Sequence, residues 1–259
     1  MEEGRGYFQA IIKEYPDFSF KELLGSRCWI YRFLSISFYQ EPTWPNFCEL
    51  SSTNLFRNLL DQDSDENSGL ELLASFIDAL PAMSAGEWEE LRQEYLRLFV
   101  GPGKVLAPPW ASVYLSKERI IFDENTLAVR KFYRDWNLET VNYKKEPDDH
   151  IGLELGFMAI LSERTLAAYE KGQEEVFRPL LQGQGTFLQD YLLPWVAGFC
   201  QQILDHSNQP LYRGLALFTP LYLEMDAGLL AELKNEGSFH FQYYCEGGYR
   251  CASGKTEST

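Results

Sequence analysis

Asp148, Asp149 and His150 stand side by side, and Glu154 follows one helical turn after the histidine. Three kinds of chemistry fit this polar cluster. A carboxylate beside an imidazole can orient it for proton transfer, which is half of an acid–base centre. Carboxylates at a helix start also steady its positive end, a structural role in which His150 simply packs there. The same carboxylates can accept paired hydrogen bonds from the guanidinium groups of an arginine-bearing peptide.

Partners for the first chemistry are missing. The chain has no G-x-S-x-G elbow, no H-E-x-x-H, no P-loop ahead of Lys104 or Lys255 and no complete G-x-G-x-x-G. Gly183-Gln184-Gly185 is a fragment of the last and reads as a turn. His150, His206 and His240 are the only histidines, so a metal centre would need distant ligands or carboxylates. His240, Cys245 and Cys251 could approach a zinc ion, but they lack the paired spacing of structural zinc sites. The expectation is a protein without catalytic or metal-ligating residues. A metal-dependent enzyme on Asp148, Asp149, His150 and Glu154 stays open as the alternative, as does a scaffold that binds folded redox subunits.

Lys and Arg total 23 against 38 Asp and Glu, a net charge of −15. That balance argues against nucleic acid or an anionic membrane as partner and suits a basic ligand, besides keeping the protein soluble. Cys28, Cys48, Cys200, Cys245 and Cys251 are odd in number and form no C-x-x-C pair, which fits a reducing compartment and points to the cytoplasm. The opening MEEGRGYFQA has no basic region leading into an apolar run, and no stretch offers the roughly 18 unbroken apolar residues of a membrane span. Neither secretion nor stable membrane insertion is expected.

The elements that would position the cluster read as helices. Ser84 and Glu87 form a capping box ahead of Trp88, Leu91, Tyr95, Leu98 and Phe99, which recur at helical spacing until Gly101-Pro102. Ser19 and Glu22 repeat the pattern before Leu23, Ile30, Leu34 and Phe38, and Glu41-Pro42 stops that helix. The acidic run from Asp61 to Gly69 reads as a solvated loop, and GPGKVLAPPW from Gly101 to Trp110 as an irregular connection. A helix is expected over Asp123 to Trp136, then a polar connector, then a helix opened by Glu146-Pro147-Asp148-Asp149. Phe187, Tyr191, Trp195 and Phe199 make an aromatic stripe that should kink at Pro194, and Leu229 to Leu233 carry the last helical pattern. No segment alternates with period two for long enough to build a sheet, so the expected fold is all-α: a single-domain helical bundle over residues 1–245. Its halves, about 1–136 and 147–245, flank a connector at 137–146, and residues 246–259 read as a mobile tail. Helical spacing assigns Trp88 and Phe99 to the core, whereas Trp110 and Tyr114 flank the proline-rich segment and could line an open groove.

LFVGPGKVLAPPWASVY, from Leu98 to Tyr114, followed by EPDDHIGLE, from Glu146 to Glu154, resembles the paired signature of the TorD/DmsD family of redox-enzyme maturation chaperones, and the PPW segment looks most like the DmsD branch. FDENTLAVRKFYRDW, FLQDYLLPWVAGF and PLYRGLALF extend the likeness over roughly residues 20 to 225. The resemblance implies an all-helical chaperone, monomeric or homodimeric, that catalyses nothing. Its implied partners are the twin-arginine leader of a molybdopterin oxidoreductase of the dimethyl-sulfoxide-reductase type and that enzyme's catalytic subunit, held before export. Carried over residue by residue, the leader groove takes Tyr95, Leu98, Phe99, Trp110 and Tyr114 for apolar area and Pro147, Asp149 and His150 for its polar end. No cofactor is implied beyond weak guanine-nucleotide binding, for which the chain offers no phosphate loop. The chain departs from the family at Tyr191, where related chains commonly carry histidine.

Overall fold

The computed structural model describes residues 19–48, 68–116, 124–141, 146–235, 244–245 and 249–250. Both sequence-level capping boxes form. Ser19 Oγ accepts from Glu22 N at 3.2 Å and the Glu22 carboxylate accepts from Ser19 N at 2.7 Å, which starts α1 (Phe20–Tyr39). After the short α2 (Trp44–Cys48) and α3 (Ser68–Ala79), Ser84 and Glu87 repeat the exchange ahead of α4 (Ala85–Tyr95). The helix then widens into a five-residue π turn, Leu96–Val100, closed by Gly101 at φ 99°, a conformation that suits glycine.

The proline-rich segment leads to one short helix, α5 (Ala111–Leu115), and beyond it lie α6 (Glu124–Asp135) and α7 (Ile151–Glu170). The expected opening of α7 at Glu146 is corrected. Residues 147–150 form a turn in which His150 N donates to Pro147 O at 3.2 Å, and the helix begins only at Ile151. Side-chain hydrogen bonds hold Asp148 and Asp149 toward α5 and α6, so they precede the helix rather than forming its first turn.

Gly183-Gln184-Gly185 is likewise no turn but the interior of α8 (Glu174–Phe187). Gly183 leaves room for an indole, since a Cβ there would lie 2.0 Å from Trp136 Cζ2. Gln184 is fully buried with all four side-chain bonds made: Ser162 Oγ and Arg27 Nη2 donate to its oxygen, and its nitrogen donates to Thr165 Oγ1 and Leu180 O. Just ahead of Pro194 the chain makes a second π turn, Leu188–Leu192, which runs directly into α9 (Leu193–His206), so that Pro194 sits in the first turn of α9. α10 (Pro210–Asn235) is far longer than the pattern around Leu229 suggested and continues through Pro220.

The described helices make an all-α bundle in which α1 lies along α7, while α10 packs against α3, α8 and α9. Of the run expected as a loop, 61–67 fall outside the described residues, and Ser68 and Gly69 already belong to α3. Gly69 permits the approach, because a Cβ would come within 2.7 Å of Leu217 Cβ. Tyr244–Cys245 and Tyr249–Arg250 form a minimal antiparallel pair, and the rest of the expected tail lies outside the described residues. Among the described residues no helix is long and apolar enough to cross a membrane, and no three His, Cys, Asp or Glu side chains could hold a metal ion. His240 and Cys251, two members of the zinc set weighed above, lie outside the described residues.

Candidate functional site

The two signature segments, 36 or more residues apart in sequence at their joined points, are hydrogen-bonded to each other. Ala111 N donates to Asp149 O at 3.0 Å and Ile151 N to Pro109 O at 2.8 Å, an antiparallel bridge centred on Trp110 and His150. Trp110 Nε1 adds a bond to Glu146 Oε1 at 2.7 Å, and burial raises that half-buried carboxyl above its ordinary range. The proline-rich strand thus forms one unit with the turn before α7.

Asp149 is the keystone of that unit. Fully buried, it accepts from Ser112 N at 2.8 Å through Oδ2, which caps α5, and from Thr126 Oγ1 at 2.8 Å through Oδ1, which reaches α6. Asp148, equally buried, takes Arg130 Nε at 2.6 Å on one oxygen and Thr140 Oγ1 at 2.8 Å on the other. His150 caps α7, its Nδ1 accepting from Gly152 N at 3.0 Å, which places the ring proton on Nε2. Its ring meets Tyr39 edge-on at 5.3 Å and Trp110 at 6.1 Å, and burial pushes its pKa down to about 3, so it is a neutral imidazole.

Glu154 is buried one turn into α7. Trp195 Nε1 donates to its Oε2 at 3.2 Å, while Oε1 and the nearby-segment Ser112 Oγ are buried without a hydrogen-bond partner. Burial first, and the Asp149 charge second, raise this carboxyl well above its ordinary range. These groups bond to backbone N–H, threonine hydroxyls, a guanidinium and an indole, and the cluster as built joins elements.

The eight residues carried over by resemblance are brought into one region but not onto one open surface. Tyr95, Leu98, Phe99, Pro147, Asp149 and His150 are buried, whereas Trp110 and Tyr114 are partly exposed. Tyr95 and Phe99 stack edge to face at 5.2 Å, and Tyr95 Oη donates to Phe38 O at 3.2 Å. Tyr114 lies on Trp195 at 5.5 Å, over a gap left by Gly198. Leu115 and Leu127 add exposed apolar area on α5 and α6. Sequence reasoning missed Ser112, Thr126 and Arg130 as the donors that hold the two aspartates. No local pattern marks them, because each partner lies 18 or more residues away.

Comparison with known proteins gives a consistent result. The chain is 34% identical over 134 residues to the probable Tat proofreading chaperone DmsD of Haemophilus influenzae and 33% identical over 135 residues to the Tat proofreading chaperone DmsD of Salmonella typhi. Each match takes in 52% of this chain and spans 59% of the relative's length. The chaperone protein TorD of Aliivibrio salmonicida is 27% identical over 207 residues, 79% of this chain and 94% of that protein. With residues 62–201, more than half of its length, matching the family described as nitrate reductase delta subunit, the chain belongs to this family, which takes in the TorD and DmsD chaperones.

Proposed function

We propose that the protein is a chaperone, not an enzyme, that binds the twin-arginine signal peptide of a molybdopterin oxidoreductase in the cytoplasm and assists its maturation before export. The observation that carries this reading is the joining of the two signature segments, which sets Trp110 and Tyr114 at the surface above a layer of buried aromatics and carboxylates. The relatives' names as Tat proofreading chaperones support it. In this reading Trp110 and Tyr114 meet the peptide's apolar residues, and Tyr95, Leu98, Phe99, Pro147, Asp149 and His150 form the layer behind, touching the peptide only where the segment from Trp110 to Leu115 shifts. The protein acts as monomer or homodimer, with the reductase's catalytic subunit as its wider client and without nucleic acid or membrane insertion. Guanine nucleotide, if bound at all, is weak and has no dedicated loop.

The test is calorimetric titration with a synthetic twin-arginine leader and a twin-lysine control. Saturable binding near micromolar, about −8 kcal/mol, weakened by the lysines, is the expected result. Equal binding of both peptides, or none, overturns the reading.

A further inference from the structure

Four carboxyl groups lie where the two signature segments meet, and one of them is open to a new partner at the surface. Asp148 is buried with Arg130 on one oxygen and Thr140 on the other. Asp149 is buried with Ser112 N and Thr126 Oγ1 on its two oxygens. Glu154 has an oxygen to spare, but that oxygen is enclosed within the fold. Glu146 differs from all three. It is half-buried, Trp110 Nε1 donates to its Oε1 at 2.7 Å, and among the described residues nothing donates to its Oε2. The two aspartates that the sequence offers for guanidinium binding are therefore spent on the fold, and the open carboxylate of the region is Glu146.

Two features prepare Glu146 for a cation. Pro147 restricts the residue before it to extended backbone, and the Trp110 bond fixes the carboxylate, so the side chain is held before any ligand arrives. Trp110 is itself partly exposed, and the bonds from Ala111 N to Asp149 O and from Ile151 N to Pro109 O keep its segment against the turn that carries Glu146. An indole beside a carboxylate suits a planar cation: a guanidinium stacks on the ring while its N–H groups meet the carboxylate, and a lysine ammonium lacks the planar fork.

Burial raises the Glu146 carboxyl above its ordinary range, the Trp110 bond opposes that rise, and the Asp149 charge adds to it. The other titratable groups around it are His150 on its own turn, pushed down to about 3, Tyr95 on α4, pushed up, and Glu154 on α7, also raised. A guanidinium favours the charged form of Glu146, so peptide affinity should rise with pH above 4.5 and level off once the free carboxyl is ionised.

We propose that Glu146 and Trp110 form a subsite for one guanidinium group of an arginine-bearing peptide, with Glu146 Oε2 as the acceptor, the Trp110 ring as the stacking face, and Asp149 as a positioning residue that holds their two segments together. The proposal deepens the reading above and rests on it, because it names a contact for the peptide assumed there.

Glu146→Gln keeps an acceptor for Trp110 Nε1 but removes the charge, so a residue that merely places Trp110 would tolerate it. Glu170→Gln, an exposed carboxylate at the far end of α7, controls for net charge. The calorimetric probe is a blocked twin-arginine leader without Asp, Glu or His, titrated into each full-chain protein from pH 5 to 8 beside its twin-lysine version. Glu146→Gln should weaken the arginine leader about five- to twentyfold beyond Glu170→Gln, bring it close to the lysine version, and flatten the rise of affinity with pH. Glu154 is present in parent and variant alike, so the difference between their profiles belongs to Glu146. A blocked diarginine peptide, followed through the indole N–H resonance of Trp110, probes the subsite without the leader. Leader binding that Glu146→Gln changes no more than Glu170→Gln, with the pH profile kept, overturns the subsite and leaves the chaperone reading standing. A diarginine shift at Trp110 that Glu146→Gln abolishes, without leader binding, supports the subsite and overturns that reading. No response to either peptide overturns both.

Discussion

Asp149 joins two helices from below the surface. Its carboxylate accepts from a helix-start N–H and a hydroxyl, so Asp149→Ala removes the acceptor that Ser112 N and Thr126 Oγ1 share. At about 1–3 kcal/mol for a buried donor that loses its acceptor, the variant should lose at least that much through Ser112 N, read from the urea midpoint, and its peptide affinity is interpretable only where it is still folded. His150 and Glu154 give pH signatures of opposite sign. The folded imidazole titrates at about 3 and an unfolded one at about 6.5, so the unfolded chain takes up a proton that the fold refuses. This contribution is complete above pH 6.5 and is lost as pH falls toward 3, at about 1.4 kcal/mol per unit. Glu154, raised well above 4.5, is neutral in the fold and ionised in the unfolded chain, so its contribution is complete at low pH and is lost as pH rises above 4.5. Replacing His150 by Asn keeps a helix cap and should flatten the loss between pH 6.5 and 5. Glu154→Gln keeps an acceptor for Trp195 and should stabilise the protein increasingly as pH rises above 4.5. Urea unfolding across that range checks both, and variants with the parent's pH slope would show that burial does not hold these groups neutral.

Helix packing near the site depends on one glycine more than on any charged group. A Cβ on Gly152 would lie 2.5 Å from Tyr39 Cβ and 3.0 Å from Tyr39 Cα and N, so the first turn of α7 touches the last turn of α1 backbone to backbone. Alanine gains about 1 kcal/mol in helix propensity, but overpacking against main chain costs about 1–3 kcal/mol, and the steric term should win because backbone cannot rotate away. Gly152→Ala should therefore lower the melting temperature, and a raised one would mean that α1 and α7 separate freely. Such contacts mark the limit of sequence reading. Ser19 with Glu22 and Ser84 with Glu87 announced their helices because capping is local, and the period of Trp88, Tyr95 and Phe99 announced a buried face. The turn at 147–150 did not show itself, since Asp148 and Asp149 answer to Arg130, Ser112 and Thr126 across the fold. The helical placement of Gly183 stayed hidden for the same reason, since Trp136, distant in sequence, packs against it. The signature named residues that the fold brings into one region, but their depth was not legible.

Helices α1, α7, α8 and α10 are tied together by one buried polar network apart from the region of Trp110 and His150. Arg27 on α1 donates to both oxygens of Asp226 on α10, at 2.5 and 3.0 Å, and to Gln184 on α8, while Tyr31 Oη donates to Asp226 Oδ2. The first and last of the described helices are thereby joined across the core, with side-chain exposures of 3% and 1% for the ion pair. Burying two charges costs much of what their attraction returns, so the pair adds little net stability, yet each member is expensive to lose alone. Arg27 Nη1 is also buried without a partner, which makes an uncompensated guanidinium costlier still. Asp226→Leu should therefore destabilise by about 3–5 kcal/mol, and Arg27→Met combined with Asp226→Leu should be less harmful than the sum of the two single changes, by a coupling of about 2 kcal/mol or more. Urea midpoints for the parent, both singles and the double variant complete the cycle. Strict additivity would show that the two helices are held by apolar packing alone. A large coupling with unaltered leader affinity in the folded double variant would assign the network to the architecture of the bundle, leaving recognition to the region where Trp110 and His150 meet.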